Sequence, residues 1–520
     1  MILAGQVPLG TANTDAPWHD LGARPDANAT SHLVFETVNS LLQHWPNTRY
    51  RNGHTIVPGT VPTGTLLYHG RQDSNLPTIP EWTATEPEHA FFFCSASPAN
   101  ESTETVFVGC WQLTLVAARP LKVLYFDGSS AAKMADGPLD AQDLLVWGQA
   151  DPLRTNDERA RIDDLCAWGK DLGLDGFVRE IMLCDFTAGV DLVSADFLAA
   201  WWTTPPTMGQ PPEPPSMTIA PTPEDTLPVF QELRATETVR ASGWHNHYPG
   251  ETRVVLDPTR LFSFYDPSLA PSLITQRAGQ ERWDHRHQGI SRVDLATVME
   301  RLKSELNFDL GDDSRSGSGV DWQTLYRVLV NRYADRLELL AYLLDSVDTN
   351  TLANITARTT IVQRHLRAML TPYTLYAARP TDPAEVDNSD NWAIPVWHAC
   401  ATRHTAQLHG LYARFTPSES LLLRAFDETS REICRVVVRM WAAGRIARVV
   451  QEWRTDTHTL MAWLDWNVWV KCAPECGAEE TCYLPTWPYF WLNPTEGEGE
   501  GDWEKPQPRC IRQFEPYSRL

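Results

Sequence analysis

Apolar positions recur along this chain with two different periods, and the switch between them marks out the elements. Over residues 30–45, Leu33, Phe35, Val38, Leu41, Leu42 and Trp45 fall at helical spacing behind Thr30 or Ser31 as a cap, which predicts an amphipathic helix. From 55 to 126 the signal shortens to β-type runs: 66–68, 91–93, 106–108, 111–116 and 121–126. Pro62, Gly64 and the Asp127-Gly128 pair punctuate them as turns. A helix over 156–172, with Ile162, Leu165, Cys166 and Trp168 on one face, and a strand over 177–184 complete an α+β domain expected to span 1–202.

Residues 203–228 hold nine prolines, a density that neither a sheet interior nor a helix accepts, so they are expected to form an extended linker. Residues 229–470 read as a mixed and then mainly helical domain. Its longest stripe runs through Trp322, Leu325, Val328, Leu329, Tyr333, Leu337, Leu340 and Leu344, and a second occupies 417–452. Residues 471–520 form a Cys/Trp-rich tail. The expected fold is thus an α+β N-terminal domain followed by a mainly α-helical C-terminal domain with a disulfide-rich tail.

Composition sharpens this picture at a few points. A formal charge of −22 works against bulk binding to nucleic-acid phosphates, and no apolar run is long enough to span a membrane. Four of the ten cysteines, Cys472, Cys476, Cys482 and Cys510, crowd a segment poor in core-forming residues, where cross-links are the usual remedy. Their spacing is not that of a zinc ribbon, so disulfides and an oxidising, extracellular compartment are expected. Asn28-Ala-Thr30, Asn100-Glu-Ser102 and Asn354-Ile-Thr356 fit the glycosylation acceptor pattern. Met1-Ile-Leu-Ala-Gly5 lacks a basic region, so export is expected to rely on a leader missing from this sequence.

The first domain carries an ordered set of chemically useful residues. Leu66-Leu-Tyr-His69-Gly70 is an apolar strand ending in His-Gly; Glu81-Trp82-Thr-Ala-Thr85 follows, and Glu180-Ile-Met-Leu183 comes late. This order resembles the ADP-ribosyltransferase-like fold of the His-Tyr-Glu type. The resemblance covers about 130 residues and implies NAD as the possible substrate, its ADP-ribosyl group passing to a nucleotide or protein acceptor or to water with release of nicotinamide, and no metal expected. On that likeness His69 and Gly70 bind the ribose and amide of NAD, Trp82 stands where the family's tyrosine stacks on nicotinamide, and Glu180 is the catalytic carboxylate. Such a carboxylate stabilises the positive charge that develops on the ribose when the glycosidic bond breaks. The sequence departs from the family in having Trp for Tyr and only twelve residues between His69 and Trp82. Over its whole length the chain also resembles uncharacterised secreted fungal proteins that share Tyr68-His-Gly70, Trp244-His-Asn-His-Tyr-Pro-Gly250 and the Cys472–Cys482 region.

Two further features suggest other functions. His245-Asn-His247 and His285-Arg-His287 are both His-x-His; on a strand, each pair would face one side and suit a metal-dependent hydrolase, with Glu251, Asp257, Asp266 and Asp284 nearby. Eight of the 21 tryptophans lie between 441 and 503, which suits a non-catalytic glycan-binding protein if the rings are exposed. Neither a serine-hydrolase elbow nor a phosphate-binding loop is present.

Overall fold

The computed structural model describes residues 20–93, 109–178, 181–199, 227–306, 317–346, 352–378, 390–443, 450–489 and 504–512. The protein is mixed α/β, with strands concentrated before residue 200 and helices dominant beyond 291. Its contacts divide it into two units that interleave along the chain. A helical unit takes 1–39, 258–278 and 312–469; a sheet unit takes 40–257, 279–311 and 470–520. The expected sequence of domain, linker, domain and tail is therefore not how the contacts fall: the tail belongs to the unit that holds the strands. Residues 203–226 lie outside the described residues, and Leu227 opens a helix that runs to Ala241.

The sheet unit contains β1 (Thr55–Val61), β2 (Leu66–Arg71), β3 (Glu81–Thr83), β4 (Gly109–Ala117), β5 (Leu121–Phe126), β6 (Gly176–Val178), β7 (Ile181–Leu183), β8 (Val190–Ala199) and β9 (Val255–Leu256). One sheet runs β1-β5-β6-β7-β3 with β9 also on β1; a second runs β2-β4-β8. Every β5 residue is buried, as its unbroken Leu-Lys-Val-Leu-Tyr-Phe run suggests. Lys122 is accommodated there because its ammonium donates to the carbonyls of Leu172 and Leu306 at 2.9 and 2.7 Å.

Three sequence expectations are corrected here. Phe91–Phe93 is no strand: Pro87 at a helix first turn starts the helix Pro87–Phe92. The strand expected over 177–184 is instead the antiparallel pair β6 and β7. The helix expected over 30–45 ends at Asn39, because Leu42 takes a left-handed φ of 62°, and a separate helix spans His44–Arg49. The strand expected at 106–108 lies outside the described residues.

The helical unit is built on Ser31–Asn39, Trp322–Asp345, Leu352–Leu370, Ile394–Thr402, Pro417–Ala442 and Val450–Leu464. Phe35 is its centre, stacked on Tyr326 at 4.5 Å and on Trp466 at 5.9 Å. Next to it, buried Glu36 accepts both the backbone and the amide N–H of Asn467. The bridge Cys400–Cys434 lies in the core with the Tyr333 hydroxyl against both sulfurs. Pro417–Ala442 begins with a capping box: Thr416 Oγ1 accepts from Glu419 N, and Glu419 accepts from Thr416 N. The same Glu419 carboxylate also accepts from Ser318 N, Ser318 Oγ and Trp322 Nε1, so it serves four donors while fully buried.

Replacing Glu419 with Ala should therefore cost about 3 kcal/mol or more, since buried donors lose their acceptor, against about 1–2 kcal/mol for Thr416→Ala, which removes the cap and the hydrogen bond that the hydroxyl donates to the Thr259 carbonyl. Urea unfolding followed by tryptophan fluorescence measures both. Equal losses would remove Glu419 from its central place.

Candidate functional site

The sheet unit encloses a cleft of about 980 Å³, counting its open mouth. One wall comes from the segment after the helix Leu227–Ala241. Gly243–His245 forms a single 3-10 turn, and the chain then folds back against residues 42–47. Asn246 anchors it twice: its carbonyl accepts from Trp45 N at 3.1 Å, and its side-chain oxygen meets His44 Nδ1 at 3.0 Å. His247 packs edge-on against Trp45 at 4.7 Å. Gly250 has φ +78°, and a Cβ there would meet the Leu42 carbonyl at 2.7 Å, so only glycine fits. Glu251 N then donates to that same carbonyl. These contacts hold Leu42 in a conformation that costs about 1–2 kcal/mol for an L-residue.

Arg253 organises the floor of the cleft. Its Nε and Nη2 make a two-pronged contact with Glu251 at 2.8 and 2.6 Å, Nη2 also reaches Glu86 Oε1 at 2.7 Å, and Nη1 donates to the Thr85 carbonyl. Thr85 Oγ1 donates to Glu251 Oε2 at 3.2 Å, and Trp244 Nε1 donates to Glu86. Burial alone would raise the Glu251 pKa, but the hydrogen bonds and charge of Arg253 outweigh it and hold the carboxyl below its usual value. Glu251 is thus an anion with a fixed orientation.

His245 stands over this pair. Its ring is stacked between Trp244 at 5.1 Å and His44 at 5.9 Å, and Nδ1 lies 3.9 Å from Glu251 Oε2. That separation exceeds a hydrogen bond, so the carboxylate acts on the imidazole through its charge. Nε2 is buried and has no hydrogen-bond partner among the described residues. Burial lowers the His245 pKa, with Glu251 pulling the other way, so the ring is neutral at neutral pH. A neutral imidazole with an unengaged nitrogen, lining a cleft and backed by a fixed carboxylate, can accept a proton.

Another part of the lining is the tail. Thr486, Trp487 and Tyr489 line the cleft. Tyr483 holds them in place: its hydroxyl accepts from Thr486 N at 3.0 Å and donates to the Tyr489 carbonyl at 2.7 Å. Tyr483 adjoins Cys482, and the tail is cross-linked through Cys472–Cys482 and Cys476–Cys510. The four tail cysteines are disulfide-bonded as the sequence leads one to expect. Cys166–Cys184 adds a further bridge in this unit, and no described cysteine is free.

The residues singled out from the sequence are distributed unevenly. Of the His-x-His pairs, His245 alone lines the cleft, while His247 packs on Trp45. His285 and His287 are buried beside His54, with ring centroids 6.3 and 4.5 Å away. Neither pair lies on a strand, so the same-side geometry that would suit chelation is not present. Among the described residues the one compact group of potential metal ligands is Cys472, Cys476 and Cys510, whose sulfurs are engaged in disulfides.

His69 and Trp82 do come together, on β2 and β3: His69 Nδ1 lies 2.7 Å from the Trp82 carbonyl. Gly70 sits opposite Gln112 in the β2–β4 ladder. The Trp82 indole donates to Glu158 and lines a separate hollow of about 430 Å³ with Phe126 and Phe177, in which His69 has no part. Glu180 lies outside the described residues. The described tryptophans of 441–489 are buried or half-buried rather than presented to solvent. Asn28 and Asn354 are exposed, in a turn and in the helix Leu352–Leu370, and Asn100 lies outside the described residues. No helix among the described residues is long and apolar enough to cross a membrane.

Sequence reasoning named His245 and Glu251 but missed His44, Glu86 and Arg253. The Glu251-x-Arg253 spacing was the one local signal for the clamp; the approach of residues 42–47 and 84–89 is set by tertiary packing.

The chain is homologous to proteins of Saccharomyces cerevisiae. It is 24% identical to "Uncharacterized protein YOR389W" over 537 aligned positions, covering 88% of this chain and 81% of the relative. It is 31% identical to "Uncharacterized protein YPL277C" over 208 positions, covering 32% of this chain and 42% of the relative. Residues 110–204 match the family model described as the YPL277C N-terminal domain. No solved structure matches the chain.

The electrostatics of the cleft give a direct expectation. His245 should titrate below the ordinary imidazole value, and Glu251→Gln should lower it further, because the carboxylate favours the charged ring. Side-chain 15N NMR of the histidines reads both. An upward shift in the variant would show that Glu251 does not act on His245.

Proposed function

We propose that the protein is an exported hydrolytic enzyme that works by general acid–base catalysis in the sheet unit, with His245 as the base and Glu251 as the carboxylate that supports it. The observation behind this reading is His245: the residue lines the cleft, and its buried Nε2 has no hydrogen bond among the described residues. Once Nε2 takes a proton from an attacking water, Glu251 stabilises the resulting cation through its charge. Export is supported by the disulfides of the tail. Glu86 and Glu251 oppose a single Arg253, so the floor keeps an excess negative charge that favours neutral or cationic substrates over phosphates.

A panel of neutral chromogenic esters, amides and glycosides tests this. At least one should turn over, and His245→Gln should cut the rate by about 100-fold or more, the usual worth of a general base. The rate should fall on the acid side with a midpoint below that of a free imidazole, because protonated His245 cannot accept a proton. No turnover across the panel, or an unchanged rate in His245→Gln, rejects the assignment.

ADP-ribosyl transfer or NAD hydrolysis is a second proposal, supported by the joining of His69 to Trp82. In that reading NAD is the substrate, His69 and Gly70 hold it, Trp82 stacks on nicotinamide and Glu180 is catalytic. Glu180→Gln should then abolish nicotinamide release while NAD binding, read by calorimetry, persists. Release at the native rate ends this reading.

A further inference from the structure

The two tail disulfides lie side by side. Cys472 is bonded to Cys482 and Cys476 to Cys510, and the sulfurs of Cys472, Cys476 and Cys510 all lie within 4.8 Å of one another. The strands Glu480–Tyr483 and Arg509–Arg512 pair antiparallel with Cys482 directly opposite Cys510. Facing residues of such a pair have Cα atoms about 4.5–5.5 Å apart, within the span a disulfide bridges. Cys472 and Cys476, four residues apart, are already within sulfur reach. Each of the four cysteines therefore has a second partner in place.

We propose that the tail is a site of thiol–disulfide exchange. It takes a small monothiol as co-reactant and converts the pairing Cys472–Cys482 with Cys476–Cys510 into Cys482–Cys510 with Cys472–Cys476. The monothiol, as its thiolate, attacks Cys510 Sγ; the Cys476–Cys510 bond breaks and its electron pair leaves on Cys476. The Cys476 thiolate attacks Cys472 Sγ, forming Cys472–Cys476 and expelling the Cys482 thiolate. Cys482 then attacks Cys510 across the ladder, forming Cys482–Cys510 and returning the monothiol as its thiolate. Three sulfur–sulfur bonds form and three break, no electrons are gained or lost, and the monothiol is regenerated.

Exposure selects the entry point. Cys510 is exposed and Cys476 half-buried, whereas Cys400 and Cys434 are 1% and 0% exposed in the helical unit. The exchange also bears on the cleft. In the present pairing Cys482, beside Tyr483, is tied to Cys472; in the alternative it is tied to the neighbouring strand, so the wall of Thr486 and Tyr489 hangs from a different anchor.

The test uses the full chain and reduced glutathione as the monothiol, under nitrogen, with acid quenching and alkylation at intervals. Cleavage after Glu475, Glu480 and Glu504 separates the four cysteines for non-reducing mass spectrometry. The expected result is glutathionylated Cys510 early, then peptides joining Cys482 to Cys510 and Cys472 to Cys476, while Cys400–Cys434 persists. A tail that stays in its original pairing, or passes straight to four free thiols, overturns the proposal. So does first attack at Cys400–Cys434. None of these outcomes depends on the hydrolase reading, because no substrate is involved.

Discussion

The site of the sheet unit depends on one guanidinium shared between two carboxylates. Arg253 meets Glu251 with two nitrogens and Glu86 with one of the same two, and it fixes the Thr85 carbonyl with the third. Without it buried Glu251 would face half-buried Glu86 across a short gap, and its own burial would raise its pKa unopposed. With it Glu251 stays ionised, and its field reaches the His245 ring. The planar, forked geometry explains why arginine rather than lysine occupies the position, since an ammonium, with three N–H donors on one atom, cannot make these four contacts.

Parts of this arrangement were legible in the sequence because they are local. The buried strand β5, the helix Glu158–Lys170 and the long stripe from Trp322 to Leu344 follow from periodicity alone, and the clustered tail cysteines imply their cross-links. Other parts were illegible because tertiary packing overrides local preference. The apolar series from Leu33 to Trp45 reads as one helix, yet Leu42 leaves helical space where Gly250 and Glu251 press on its carbonyl. Phe91 and Phe92 look like strand residues, but Pro87 sets a helical first turn before them. The His-x-His spacing implies chelation only on an extended backbone, and both pairs lie next to short turns instead.

The family model and the candidate site cover different stretches of the chain. The family model ends at residue 204, so it takes in β4 to β8 but none of the segment from Trp244 to Arg253. The longer relationship, over 88% of the chain, spans both units. The sheet framework and the catalytic proposal therefore rest on different observations, and one can fail without the other.

The interleaving of the two units has a consequence for biosynthesis. The helical unit draws on residues up to 469, and the sheet unit is finished only by 470–520. A ribosome that has made the first 257 residues has exposed nearly all the strands but neither the tail wall nor most of the long helices. Vectorial folding of a completed first domain is thus unavailable to this chain. The pairings among β1 to β8 draw only on residues before 200 and can form early, whereas the cleft gains its last wall when residues 470–520 emerge.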